Sequence, residues 1–173
     1  GCSNSSSPST ATTTTKPNVS DAAHSQQPAA PTCPLTGAPR TKHEVVKRVP
    51  LAVKIDNVAD ALPQSGINKA DIVFEELVEG GLTRLMAVFQ CDQASTVGPI
   101  RSLRISDADI LALLHGSVLG YSGANPKDLP PVVAHSQAVL ISQDANPQYY
   151  YRSTAHLAPH NVYSSTKRIL HAG

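Results

Sequence analysis

The sequence predicts an α/β fold: a mixed sheet with an antiparallel hairpin and flanking helices, preceded by a disordered tail. Three observations predict it. Leu51-Ala-Val-Lys-Ile-Asp56 is a short, mostly apolar run of the kind that forms a buried strand. Asp71 to Glu79 and Leu82 to Gln90 are two further strand-like runs, separated by Gly80-Gly81. Helix-start signals at Ser106 and at Ser164-Ser165 place helices between and after the later strands.

Composition bounds the function. At 173 residues the chain can hold one domain with a sizeable core, or one domain and a tail. It is 40% hydrophobic, and 14 basic against 13 acidic residues give a formal net charge of +1. That balance, with no Trp and only two Phe, gives no reason to expect nucleic acid. No apolar run is long enough to cross a bilayer.

The chain opens Gly1-Cys2-Ser3-Asn4, and residues 3–32 are dominated by Ser, Thr, Pro and Ala. Such a segment buries too little apolar surface to offset its ordering entropy, so disorder is expected. A Cys heading a polar arm resembles a bacterial lipoprotein start. There, cleavage precedes the Cys, and acyl chains on its thiol and new amine supply a membrane anchor. On that reading Cys2 is the lipidation site, the protein is held on the extracytoplasmic face of the cell membrane, and the arm spaces the domain from the surface. The expected organisation is a tether and opening turn over 1–41 and an α/β domain over 42–173. The last helix stops abruptly at Gly173, so a longer protein is expected. Cys33 and Cys91 remain, either as a disulfide or as two thiols, and their spacing matches no metal motif. No metal or cofactor is expected.

Taken in order, the first strand ends at Asp56-Asn57. Asp and Asn there commonly make local turns, but a carboxylate at a strand's carboxyl edge also lies where α/β folds place ligands. Next, Gly80-Gly81 predicts a hairpin with a two-residue loop, because glycine accepts the positive φ angles of tight turns. That loop sets Glu79 opposite Leu82, Leu77 opposite Arg84, and Glu75 opposite Met86. Alternation then puts Glu75, Glu79 and Arg84 on one face, with Arg84 placed diagonally between two carboxylates. Glu76 is left as an exception on the apolar face. After the hairpin, Gly98-Pro99-Ile100-Arg101-Ser102-Leu103-Arg104 brings two guanidiniums close together, a pattern suited to a carboxylate or phosphate partner.

Ser106 reads as the N-cap of a helix, with Asp109 completing a capping box and Asp107 serving the helix dipole. Ser117 to Tyr121 and Ala138 to Ser142 read as short strands, separated by a polar, Pro-broken region. Tyr149, Tyr150 and Tyr151 form either a sugar-stacking platform or edge cover with one ring buried. His160, fixed beside Pro159 and followed by Asn161, is the best placed of the seven His for acid–base work. Ser164 or Ser165 caps a last helix over Lys167 to His171.

PLAVKIDN, PQSGINKADIVFEELVEGGLTR, VGPIRSLR and APHNVYSS, in that order, resemble the YerB-like lipoproteins, a bacterial family of domains of unknown function. The resemblance runs from about Cys33 to the end. It implies an extracytoplasmic lipoprotein with an α/β N-terminal domain and a further C-terminal domain, and it implies no activity. Two readings follow. The first is a membrane-tethered binding module with a charged cleft formed by Asp56, Asn57, Glu75, Glu79, Arg84, Arg101, Arg104, His160 and Asn161, for a cell-wall or envelope ligand. The second is a hydrolase of wall polymers using Glu75 or Glu79 with His160. The first is preferred, because neighbouring arginines hold carboxylates ionised and so disfavour a general acid.

Overall fold

The computed structural model describes residue 1 and residues 31–40 and 47–173. The lipidation site expected at Cys2 and the disorder expected of the leading arm lie outside the described residues.

The fold is α/β, built on a five-stranded mixed sheet of order β2-β3-β1-β4-β5. At its centre, β1 (Leu51–Asp56) is buried at every position, which explains its nearly continuous apolar run. β1 pairs antiparallel with β3 (Thr83–Phe89), and β3 pairs antiparallel with β2 (Ile72–Leu77). On the other side β1 pairs parallel with β4 (Val118–Tyr121), and β4 with β5 (Val139–Ser142). A separate ribbon joins β6 (Tyr151–Arg152) to β7 (Val162–Tyr163).

Helices cover both faces. Leu51, Val53, Ile55, Ala87 and Phe89 pack toward Ile169 of α3 (Thr166–Ala172). Ala52, Met86, Val88 and Leu119 pack toward Leu111 of α1 (Asp107–Leu113) and Val132 of α2 (Leu129–His135). Among the described residues no helix is long and apolar enough to cross a membrane.

The hairpin register differs from expectation by one position. The observed partners are Glu75 with Leu85, Glu76 with Arg84, and Leu77 with Thr83. The loop is longer than two residues: the Val78 N–H donates to Leu82 O at 2.8 Å around a tight turn at Glu79–Gly81. Gly80 and Gly81 sit there at φ 71° and 72°, so both glycines serve the turn, but as part of a three-residue loop. One extra loop residue slips every pairing by one and exchanges faces. Arg84 therefore joins Glu76 on the α1 side, and Glu75 points to the other side. The single-face cluster of Glu75, Glu79 and Arg84 is thus corrected. The register observed lets Ile72, Phe74, Met86 and Val88 bury together under α1.

Two helix expectations also change. Ser106 does not cap α1; its Oγ donates to Glu76 Oε2 at 2.6 Å instead. The Pro-broken stretch contains α2, whose Pro130 and Pro131 occupy the first turn, where a missing N–H costs little. The last helix is capped by Ser165, whose Oγ accepts from the Arg168 N–H at 3.2 Å. Cys33 and Cys91 are joined in a disulfide that ties residues 31–40 to the end of β3.

One feature of topology builds the site. β1 and β4 pair only over Leu51–Val53. Beyond that point the segment around Pro99–Leu103 enters between them. Pro99 O accepts from the Asp56 N–H and Lys54 O from the Arg101 N–H, both at 2.9 Å. On the other side Arg101 O and Gly123 O bond the Ser122 and Leu103 N–H groups at 3.0 Å. Gly98 permits the entry: at φ 151°, a Cβ there would lie 2.6 Å from the Tyr163 ring.

Candidate functional site

Asp56 ends β1 and is fully buried. Its carboxylate gathers three cationic or ionisable groups from three parts of the chain. Arg84 Nη1, from the start of β3, lies 3.1 Å from Oδ1. Arg101 Nε, from the inserted segment, lies 2.8 Å from Oδ2. His160 Nδ1, from the turn before β7, lies 2.7 Å from the same oxygen. The Asn57 N–H adds a bond to Oδ1 at 3.0 Å. Arg101 Nε is buried, yet its N–H is not aimed squarely at the carboxylate, so this contact is an ion pair without a well-aligned hydrogen bond.

Arg104 stands beside this group. Its Nε donates to Glu79 Oε2 at 2.7 Å, and its Nη1 donates to Leu103 O at 2.9 Å. That hydrogen bond from Arg104 is the main reason the Glu79 carboxyl titrates below its usual range. The Arg84 guanidinium is lowered from its ordinary value by burial first, with Asp56 opposing and Arg101 and Arg104 adding repulsion. Arg84 is therefore close enough to feel both Arg101 and Arg104.

On the opposite side of the strands, Asn57 Nδ2 donates to Thr83 Oγ1 at 2.8 Å, and Thr83 Oγ1 donates to Glu75 Oε1 at 2.8 Å. Gln64 Nε2 bonds Asn57 Oδ1 at 2.8 Å and Asp56 O at 3.2 Å. Asn161 Oδ1 accepts from Arg152 Nη1 at 2.7 Å and takes no part in the Asp56 group. Of the residues expected to share a cleft, Asp56, Arg84, Arg101 and His160 converge. Arg104 and Glu79 form an adjoining pair. Asn57 and Glu75 belong to a polar network behind them, and Asn161 stands apart.

A second charged cluster was not foreseen. The fully buried Lys54 Nζ bonds Glu76 Oε1 at 2.7 Å and also Asp107 Oδ1. Asp107 Oδ2 accepts from the Arg104 N–H at 2.9 Å, which links this cluster to the segment carrying the arginines. Burial pushes the Asp107 carboxyl up to about 7; Lys54 opposes the shift, and Glu76 adds to it. The signal was present as two anomalies, a Lys inside an apolar strand and a Glu on an apolar face. Alternation alone does not show that they meet.

Residues 35–173 match the model of the N-terminal domain of a protein family of unknown function, DUF3048. A relative from Bacillus subtilis (strain 168), "Putative lipoprotein YerB", is 37% identical over 134 residues, covering 76% of this chain and 39% of that protein. The crystal structure of YerB from Bacillus subtilis superposes with a TM-score of 0.73 at 35% identity, covering 82% of this chain and 48% of that one. The chain thus spans less than half the length of the relatives it matches. With the family model covering the whole α/β unit, the chain belongs to the DUF3048 family and carries its N-terminal domain.

Proposed function

We propose that this chain is the ligand-binding part of a lipid-anchored protein on the extracytoplasmic face of the membrane, and that its charged edge takes an anionic ligand of the cell envelope. One observation carries the binding reading. Among the described residues, the side chains of three arginines and a histidine pair with two carboxylates, Asp56 and Glu79, at this edge. Arginine stays charged throughout the physiological range, so these guanidiniums outnumber the carboxylates their side chains pair with. Paired guanidinium donors suit carboxylate or phosphate. The edge lies at the carboxyl end of β1, where the inserted segment separates β1 from β4, the kind of position α/β sheets use for ligands.

The hydrolase reading is weaker. Glu79 is held ionised by Arg104, which suits a partner for cations and not a general acid. Glu75 is engaged by Thr83 and Asn57 on the other face.

The anchor reading is supported by the Gly1-Cys2 start and by the relative's description as a lipoprotein. In a native host, Cys2→Ala should move the protein out of the membrane fraction and abolish labelling by a palmitate analogue. Retention with label intact would refute the anchor. For the ligand, titration with glycerol phosphate polymer and with a carboxylate-bearing wall peptide separates the two sources of anion. Binding of one that is lost in Arg101→Gln supports the proposal. Binding of neither refutes it.

A further inference from the structure

A groove of about 400 Å³ lies beside the charged edge and uses none of its charged side chains. Its wall is an aromatic stack. Tyr151 and Tyr163 have ring centroids 6.1 Å apart at 27°, and His156 lies 6.4 Å from Tyr163 at 13°. Tyr163 is buried and fixes the stack, whereas Tyr151 is 40% exposed and presents its ring. Ser65, Thr96 and Ser153 line the same groove, and among the described residues no Asp, Glu, Lys or Arg does.

We infer that this groove binds the pyranose rings of a neutral oligosaccharide. A pyranose offers an apolar C–H face to an aromatic ring and a rim of hydroxyls to groups that both donate and accept. The groove supplies both, and its size falls within the roughly 300–1,000 Å³ typical of small-molecule sites. A proline-rich peptide would also stack on tyrosines, but it has no use for three hydroxyl side chains around its rim. The lining among the described residues, hydroxyl-bearing and aromatic side chains without a formal charge, matches a neutral ligand.

Gln64, between the groove residues Pro63 and Ser65, bonds the backbone of Asp56, and His156 and His160 lie on one turn. A glycan held in the groove would therefore lie next to the cationic edge. The saccharide site does not depend on that edge, and a neutral probe tests it separately.

The experiment is an amide NMR titration of the full chain with chitotetraose and, in parallel, cellotetraose. The expected result is selective shifts at Ser65, Thr96, Tyr151, Ser153 and His156, with a Kd on the order of 1 mM for one of the two sugars. Tyr151→Ala should weaken binding about tenfold, and Tyr151→Phe should retain it, since the ring face suffices. Tyr151 is half-exposed on a two-residue strand; His156→Ala serves as a second variant and should also weaken binding. The inference is overturned if neither sugar shifts these amides at about 10 mM, ten times that Kd. It also fails if both variants bind as the parent does, or if a polyproline peptide shifts these amides while the sugars do not.

Discussion

Asp56 and His160, 104 positions apart in the chain, meet carboxylate to imidazole at 2.7 Å. The same carboxylate holds Arg84 and Arg101, so one buried anion organises three distant segments at the carboxyl edge of β1. Removing it leaves the buried Arg84 guanidinium and the partly buried Arg101 guanidinium without their carboxylate, which is far more costly than losing an exposed ion pair. Asp56→Asn should therefore lower stability by about 3–5 kcal/mol, seen as a lower urea midpoint with unchanged slope. A loss below about 1 kcal/mol would mean that Asp56 does not organise the edge.

The neighbouring Glu79–Arg104 pair should behave differently. Glu79 is mostly exposed, and exposed pairs contribute about 0–1 kcal/mol. Glu79→Gln should leave the urea midpoint nearly unchanged. It should also tighten phosphate binding, roughly twofold, by releasing Arg104 from its partner. Weaker phosphate binding in Glu79→Gln would place the carboxylate in the ligand contact itself.

The buried Lys54–Glu76–Asp107 cluster sets a pH dependence. Two carboxylates share one ammonium, and burial raises the Asp107 carboxyl from an ordinary value of 3.8 to about 7. Between those values the folded state binds more protons at Asp107 than the unfolded state does. Protons then favour folding, and the contribution of this group grows as pH falls from about 7 to about 4. Asp107→Asn removes the titration. The stability difference between parent and Asp107→Asn should favour the parent more at about pH 5 than at about pH 8, by about 1–3 kcal/mol, the linkage value discounted for relaxation. A difference that is flat, or that grows with pH, would show that Lys54 dominates the carboxyl.

The disulfide should contribute to stability. Cys33 and Cys91 are separated by 58 positions, and closing a loop of this length restricts the unfolded chain. Replacing both by Ser should cost about 2–4 kcal/mol, measured as a lower thermal midpoint. Unchanged midpoints, or alkylation of either thiol without a reductant, would argue against the bond.

Much of the fold is legible in the chain because local pattern and burial agree. β1 has the limits its apolar run predicts, and β4 and β5 fall within the short strands expected. The hairpin is also evident, but Gly80-Gly81 suits both a two-residue and a three-residue loop, and only the packing of Met86 and Val88 under α1 chooses the register. That single position decides which carboxylate Arg84 meets. α2 was hidden because prolines in a first turn look like helix breakers elsewhere. The residue types of the edge were readable, as Asp56, Arg84, Arg101 and His160. Their sharing a cleft was expected, but their meeting on the Asp56 carboxylate was not, because it depends on the Pro99–Leu103 segment entering between β1 and β4.

An amide NMR titration of the full chain with inorganic phosphate at two salt concentrations decides whether the Asp56 edge binds anions. The account predicts shifts centred on Asn57, Arg84, Arg101, Arg104 and His160, weakened by added salt and lost in Arg101→Gln while the rest of the spectrum is preserved. Shifts scattered over the surface, or an Arg101→Gln variant that binds phosphate as the parent does, would contradict it.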